Sequence, residues 1–145
     1  MNCEDEELNV TLAQLYTQLA ERGMDIIVES HGLNLKIDIP WSALSELFIT
    51  SSDRTLMFQS WVISSIQPSV LNNTIKAAFD ANRSGSLGTF YYNPLGESIT
   101  YRYSIRFEDA SDLTADLVMD LVRMVCDEIT NLCPPIIKVC GGIDY

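Results

Sequence analysis

Any reaction run through an imidazole in this chain must use His31, because there is no second histidine. His31 stands beside Gly32 in a turn-like stretch, where a solvated loop residue is the simplest reading. The four cysteines, Cys3, Cys126, Cys133 and Cys140, have no C-x-x-C spacing. Cys126 and Cys133 are two helical turns apart, about 10 Å along the axis, which is too far for one disulfide or one metal ion. They read as reduced, packed thiols. Asp112, Asp116 and Asp120 recur at four-residue steps, a spacing that holds a divalent cation only when a second acidic element faces it. Glu4 to Glu7 are the candidate for that element, yet a helix face that also carries Arg123 and Asp127 is ordinarily just solvated. The sequence has no HExxH, P-loop, EF-hand or GxSxG pattern, and the "GSLG" at Gly85 to Gly88 reads as a helix stop. No catalytic residue, metal ligand or cofactor is assigned on these grounds.

The remaining chemistry is recognition. The stretch Gly88 to Ala110, "GTFYYNPLGESITYRYSIRFEDA", concentrates aromatic residues around two arginines of its own. Asn93-Pro94-Leu95-Gly96 has turn chemistry, with proline presetting the second position and glycine accepting a positive φ at the fourth. A type I turn with a glycine bulge pairs Asn93 with Glu97. In that register Tyr91 shares the core face with Ile99, Tyr101, Tyr103, Ile105 and Phe107. Phe90 and Tyr92 then fall on the opposite face beside Arg102, as an exposed aromatic patch with a cation next to it. Phe90, Tyr92 and Arg102 are therefore the expected partner-binding residues. Trp61 is a further candidate, placed on a strand expected to lie mid-sheet. A slip of one residue in the hairpin register would exchange the two faces.

The elements that must position these residues follow from periodicity. Leu8, Leu12, Leu15 and Leu19 form one helical stripe, with Glu4 to Glu7 at the positive end of the helix dipole and Gly23 as the stop. Met24, Ile26 and Val28 alternate with polar residues, as do Leu33, Leu35, Ile37 and Ile39, which predicts a hairpin with one wet face. Residues 40–50 are ambiguous, and a strand near Leu47 is preferred. Thr55 to Ser64 is apolar on both faces and predicts a central strand. Pro68 and Ser69 open a helix that Gly85 ends, with Leu71, Ile75, Ala78 and Phe79 facing inward. After the aromatic hairpin, Thr114 caps a last helix, with Leu113 and Val118 as a hydrophobic staple. That helix is expected to run to about Leu132, with "PPIIKVCGG" adding one more turn. Leu117, Leu121, Val125 and Leu132 make one apolar stripe of it, and Ala115, Met119, Val122 and Cys126 a second. Two facets need two things to lie against: the sheet, and a neighbouring helix or a second subunit.

Bulk properties limit the function further. The 145 residues fit a single domain, 1–145. The net charge of −11 repels phosphate backbones and anionic lipid heads, so nucleic acid and membrane surfaces are excluded as partners and basic protein segments are favoured. No apolar run is long enough to span a bilayer, and the N-terminus is acidic where a secretory signal is basic. A cytoplasmic location is expected.

The order of elements, and the phrases "LGTFYYNPLGESITYRYSIRFEDASDLTADLV" and "PPIIKVCGG", resemble the YbjN-like family of bacterial sensory transduction regulators. The shared features fall at Leu87-Gly88, Arg102, Glu108-Asp109, Leu113-Thr114, Pro135 and Gly141-Gly142. The resemblance implies an α+β fold like that of type III secretion chaperones: an antiparallel sheet of five to six strands with helices mainly on one face, in the order α-β-β-β-(β)-α-β-β-α. It implies a non-enzymatic domain, a homodimer in many relatives, that binds another protein as a regulator or chaperone-like adaptor, and it carries over no catalytic residue. Two alternatives stand beside it. One is a true type III secretion chaperone. The other is a small ligand- or metal-binding enzyme using His31 or the acidic face of the last helix.

Overall fold

Alternating apolar residues build most of the sheet, and three helices cover it. The computed structural model describes residues 3–29, 32–36, 46–52, 54–85, 87–109 and 112–141. Helix α1 (Cys3–Glu21) leads into strands β1 (Ile26–Glu29), β2 (Gly32–Lys36), β3 (Glu46–Ser52) and β4 (Thr55–Ile63). A single 3₁₀ turn (Pro68–Val70) opens α2 (Leu71–Ser84), the hairpin β5 (Thr89–Asn93) and β6 (Ser98–Arg106) follows, and α3 (Ala115–Val139) closes the fold. The six strands form one antiparallel sheet in the order β1-β2-β3-β4-β6-β5. This is the expected α+β architecture, with the strand expected near Leu47 present as β3.

Period-two patterning decides which face is inside. Leu33, Leu47, Ile49, Leu56, Phe58, Ile99 and Tyr101 point to one face and form a single buried core with the helices. Each fully buried aliphatic or aromatic side chain contributes roughly 1.5–3 kcal/mol relative to exposure. Helix α1 supplies Leu15 and Leu19 to this core, which matches the expected leucine stripe. Helix α3 supplies Val118, Leu121, Val122, Val125, Ile129, Cys133, Ile136 and Ile137. Its buried stripe is therefore rotated from the expected pair of stripes, and Leu117 is exposed.

Thr114 caps α3 as expected, its hydroxyl accepting from Leu117 N at 3.2 Å, and Leu113 and Val118 are both buried. The helix does not stop at Leu132 but runs unbroken through Pro134 and Pro135. A proline removes the bond to the carbonyl four residues back. Here those carbonyls belong to Thr130 and Asn131, both exposed, so water can replace the missing donors.

In α2 the inward side chains are Thr74, Ala78 and Ala81. Thr74 is tolerated inside because its hydroxyl donates to Val70 O at 2.7 Å. Phe79, expected inside, is 65% exposed; small residues at 78 and 81 let α2 approach α3 and β5 closely, and this turns Phe79 outward. Among the described residues no helix is long and apolar enough to cross a membrane.

Candidate functional site

The aromatic hairpin takes the slipped register. Asn93 pairs with Ser98, Tyr92 with Ile99, Tyr91 with Thr100 and Phe90 with Tyr101. The loop is thus four residues, Pro94 to Glu97, and the left-handed position is Glu97 (φ 47°), not Gly96. Two contacts fix it. Asn93 Oδ1 accepts from Leu95 N at 3.1 Å, and Glu97 O accepts from the backbone N–H of Ile66 at 2.9 Å. The consequence is a correction: Phe90 and Tyr92 lie on the core face. Phe90 is only 3% exposed and meets Tyr101 edge-on with ring centroids 5.0 Å apart, and Tyr92 is half-buried against the core. Helix α2 locks this arrangement, because the Asn82 side chain donates to Phe90 O at 2.8 Å and accepts from Phe90 N at 2.6 Å.

The opposite face of the sheet, free of helices among the described residues, keeps Arg102 and Trp61 and gains Tyr91. Arg102 lies over the Tyr91 ring at 4.9 Å, donates to the Tyr91 hydroxyl at 2.9 Å and reaches Gln59 Oε1 at 3.5 Å. Trp61, 37% exposed, packs on Phe48 with centroids 6.4 Å apart. Thr100 pairs with Trp61 on one side and Tyr91 on the other and is fully buried there, its Oγ1 without a hydrogen-bond partner. Neither Phe48, Met57, Trp61 nor Tyr91 belongs to the core under the helices. The structure therefore brings Trp61 and Arg102 onto one surface and separates Phe90 and Tyr92 from them.

A residue that sequence reasoning missed stands on the other face. Glu128 of α3 is buried, and its carboxylate accepts from Leu87 N at 3.1 Å, from Gly88 N at 2.9 Å and from the Tyr101 hydroxyl. Three converging donors suit an ionised carboxylate, which only accepts. Burial, reinforced by the Glu128 carboxylate, pushes the Tyr101 phenol well above the ordinary tyrosine range. Gly88 is obligatory here, since a Cβ would lie 2.5 Å from the Tyr101 hydroxyl and 2.6 Å from Arg102 O. The available signal was phase: Glu128 lies three residues after Val125 and seven after Leu121, on the buried stripe.

The other candidate groups are engaged or inert. Asp116 pairs with Arg22 at 2.5 Å and Asp120 with Arg123 at 3.4 Å, so arginines occupy two members of the acidic face considered for metal. Among the described residues no group of three or more His, Cys, Asp or Glu is placed to hold a metal ion. Cys126, Cys133 and Cys140 are free thiols; burial pushes Cys126 up to about 11 and Cys133 higher still. The expectations attached to His31 and to the side chains of Glu4 to Glu7 lie outside the described residues.

No protein-family model and no curated protein matches the sequence. Among solved structures, the chain superposes on the crystal structure of YbjN from E. coli, for which a role as a transcription regulator has been put forward, with a TM-score of 0.69. The match covers 90% of this chain and 91% of that one at 16% sequence identity. The chain has a YbjN-like fold. At that identity the likeness to YbjN concerns architecture and does not extend to particular side chains.

Proposed function

We propose that this YbjN-like chain is a non-enzymatic protein-binding domain acting in regulation or as a chaperone-like adaptor, and that it engages its partner through the helix-free face of the sheet around Trp61, Tyr91 and Arg102. One observation carries the reading: that face bears an aromatic pair across strands, Phe48 with Trp61, and the Arg102 guanidinium over the Tyr91 ring, all outside the helix-covered core. Aromatic residues and arginine are the side chains that dominate binding energy at protein interfaces. A cytoplasmic, homodimeric form fits the same reading, with the exposed Ile27 and Val28 of edge strand β1 as the apolar surface a second copy would cover.

The test is an affinity pull-down of the full chain from native lysate, with mass-spectrometric identification, repeated with Trp61→Ser and Arg102→Glu. Both substitutions are on the surface, and circular dichroism checks that the variants fold. Loss of the same partner from both variants is the expected result. Equal recovery by wild type and both variants overturns the proposal.

A further inference from the structure

Strand β6 is longer than the neighbour that flanks it. It runs from Ser98 to Arg106, and β4 pairs with it along its length as far as Thr55↔Arg106. On its other side the last β5 pair is Thr89↔Arg102. Tyr103 to Arg106 therefore have a strand on one side only among the described residues. The reason is the Glu128 carboxylate, which takes the backbone N–H groups of Leu87 and Gly88 and draws the chain off the sheet before β5 begins.

Backbone alternation identifies the groups left open. Asn82 holds both backbone groups of Phe90, so Phe90 points away from β6, and Thr89, Tyr91 and Asn93 bond to it. Their partners Arg102, Thr100 and Ser98 thus turn toward β5, and by the same alternation so do Ser104 and Arg106. The bond from Phe107 N to Arg54 O at 2.9 Å agrees, since it places the odd-numbered residues on the β4 side. A hollow of about 400 Å³ opens at this notch, bounded by Gly88, Thr89, Tyr91, Arg102, Tyr103 and Ser104.

The side chains specify what fits the notch. Tyr103 and Ile105 point to the core face yet stay half-exposed, whereas Ile99 and Tyr101, covered by β5, are fully buried. On the opposite face Arg102 and Arg106 flank Ser104, all exposed, and among the described residues neither arginine is ion-paired with a carboxylate. We infer that the notch binds an extended peptide segment of alternating acidic and apolar residues, added as a strand beside Tyr103–Arg106. The backbone of the segment meets Ser104 and Arg106, its apolar side chains cover Tyr103 and Ile105, and its carboxylates lie between the two arginines. These arginines are a local positive spot on a chain whose net charge of −11 favours basic partners elsewhere. A second copy of this chain fits poorly, because two-fold antiparallel pairing centred on Ser104 sets Arg102 of one copy against Arg106 of the other, and like charges opposed across strands are unfavourable. The inference rests on the protein-binding reading above and adds a site and a ligand class to it.

The experiment uses the full chain and a fluorescent hexapeptide alternating glutamate and valine, read by anisotropy. Controls are a hexapeptide alternating lysine and valine, and the glutamate–valine peptide N-methylated along one edge, which removes its strand hydrogen bonds but keeps its side chains. Binding of the unmethylated acidic peptide is expected, weakened at least tenfold by N-methylation and by Arg106→Glu, and unchanged by Phe79→Ser, at an exposed position of α2 away from both surfaces. Amide exchange on wild type gives a second readout that needs no variant: the Ser104 and Arg106 amides should exchange freely and become protected when the peptide is added. Absence of binding, binding indifferent to N-methylation, or amides already protected in the free chain overturns the notch. So does a wild-type dimer that Arg106→Glu tightens by setting opposite charges across that pairing, which would assign the edge to a second copy. If the lysate partner is lost with Trp61→Ser while every peptide arm is negative, the helix-free face stands and the notch falls.

Discussion

Replacing Glu128 by glutamine tests the link between α3 and the start of the hairpin. The glutamine is nearly the same size but offers one acceptor oxygen and one NH₂ where the carboxylate offered two acceptors. In the better orientation the amide oxygen keeps Gly88 N–H and the Tyr101 hydroxyl, and the NH₂ is left facing Leu87 N–H, a donor that cannot turn away. An orphaned buried N–H costs about 1–3 kcal/mol, and exchanging charged for neutral hydrogen bonds at the other two donors costs about 1 kcal/mol each. The expected loss is about 3–5 kcal/mol. With an unfolding entropy of roughly 2.1 cal/mol/K per residue, a chain of this length should melt about 10–16 °C lower. Differential scanning calorimetry measures the shift. Tyr101→Phe removes only one of the three donors and should cost about 1–2 kcal/mol, and the double variant should fall short of additivity. A glutamine variant that melts within about 2 °C of wild type would refute the claim that this carboxylate holds Leu87 and Gly88.

Other expected outcomes are simpler. Phe90→Ala should destabilise by about 3–5 kcal/mol in urea unfolding, whereas Phe79→Ala should stay within about 0.5 kcal/mol; equal effects would reverse the hairpin register. Thr114→Ala should cost about 1 kcal/mol through loss of the α3 cap, and an unchanged midpoint in the same titration would contradict it. Burial raises the thiols of Cys126 and Cys133 and the phenol of Tyr101 in the folded chain, so the unfolded chain gives up these protons first as pH rises. Stability should therefore be full below the ordinary thiol range and decline from about pH 9 upward, and a melting temperature that holds level to pH 11 would contradict this. At pH 8, peptide-level mass spectrometry should find Cys133 unmodified by iodoacetamide until urea unfolds the chain.

The framework was readable because period and burial agree along most elements. Leu33, Leu47, Ile49, Leu56, Phe58, Ile99 and Tyr101 alternate cleanly and are all inside, and the Thr114 cap needed only local chemistry. The hairpin was not readable in the same way. Its register depends on one extra loop residue, and the contact that holds it, Ile66 N–H on Glu97 O, joins residues far apart in sequence. Glycine at 96 drew the left-handed position by intrinsic preference, but that long-range bond moved it to Glu97. The same slip decided the candidate surface, exchanging Phe90 and Tyr92 for Tyr91 while leaving Arg102 and Trp61 in place. Glu128 was obscured by composition, one acid among several on α3, although its helical phase was that of a core residue. Phe79 shows the converse, an apolar residue at core spacing displaced by the tight fit of Ala78 and Ala81.

Asn82 has a further consequence for how these molecules can assemble. By mimicking a seventh strand with a single amide, it occupies both backbone groups of Phe90, so an incoming strand cannot pair continuously along β5 and is confined to the short opening beside Tyr103–Arg106. A border that offers an added strand so short an opening is a poor template for open-ended stacking of sheets.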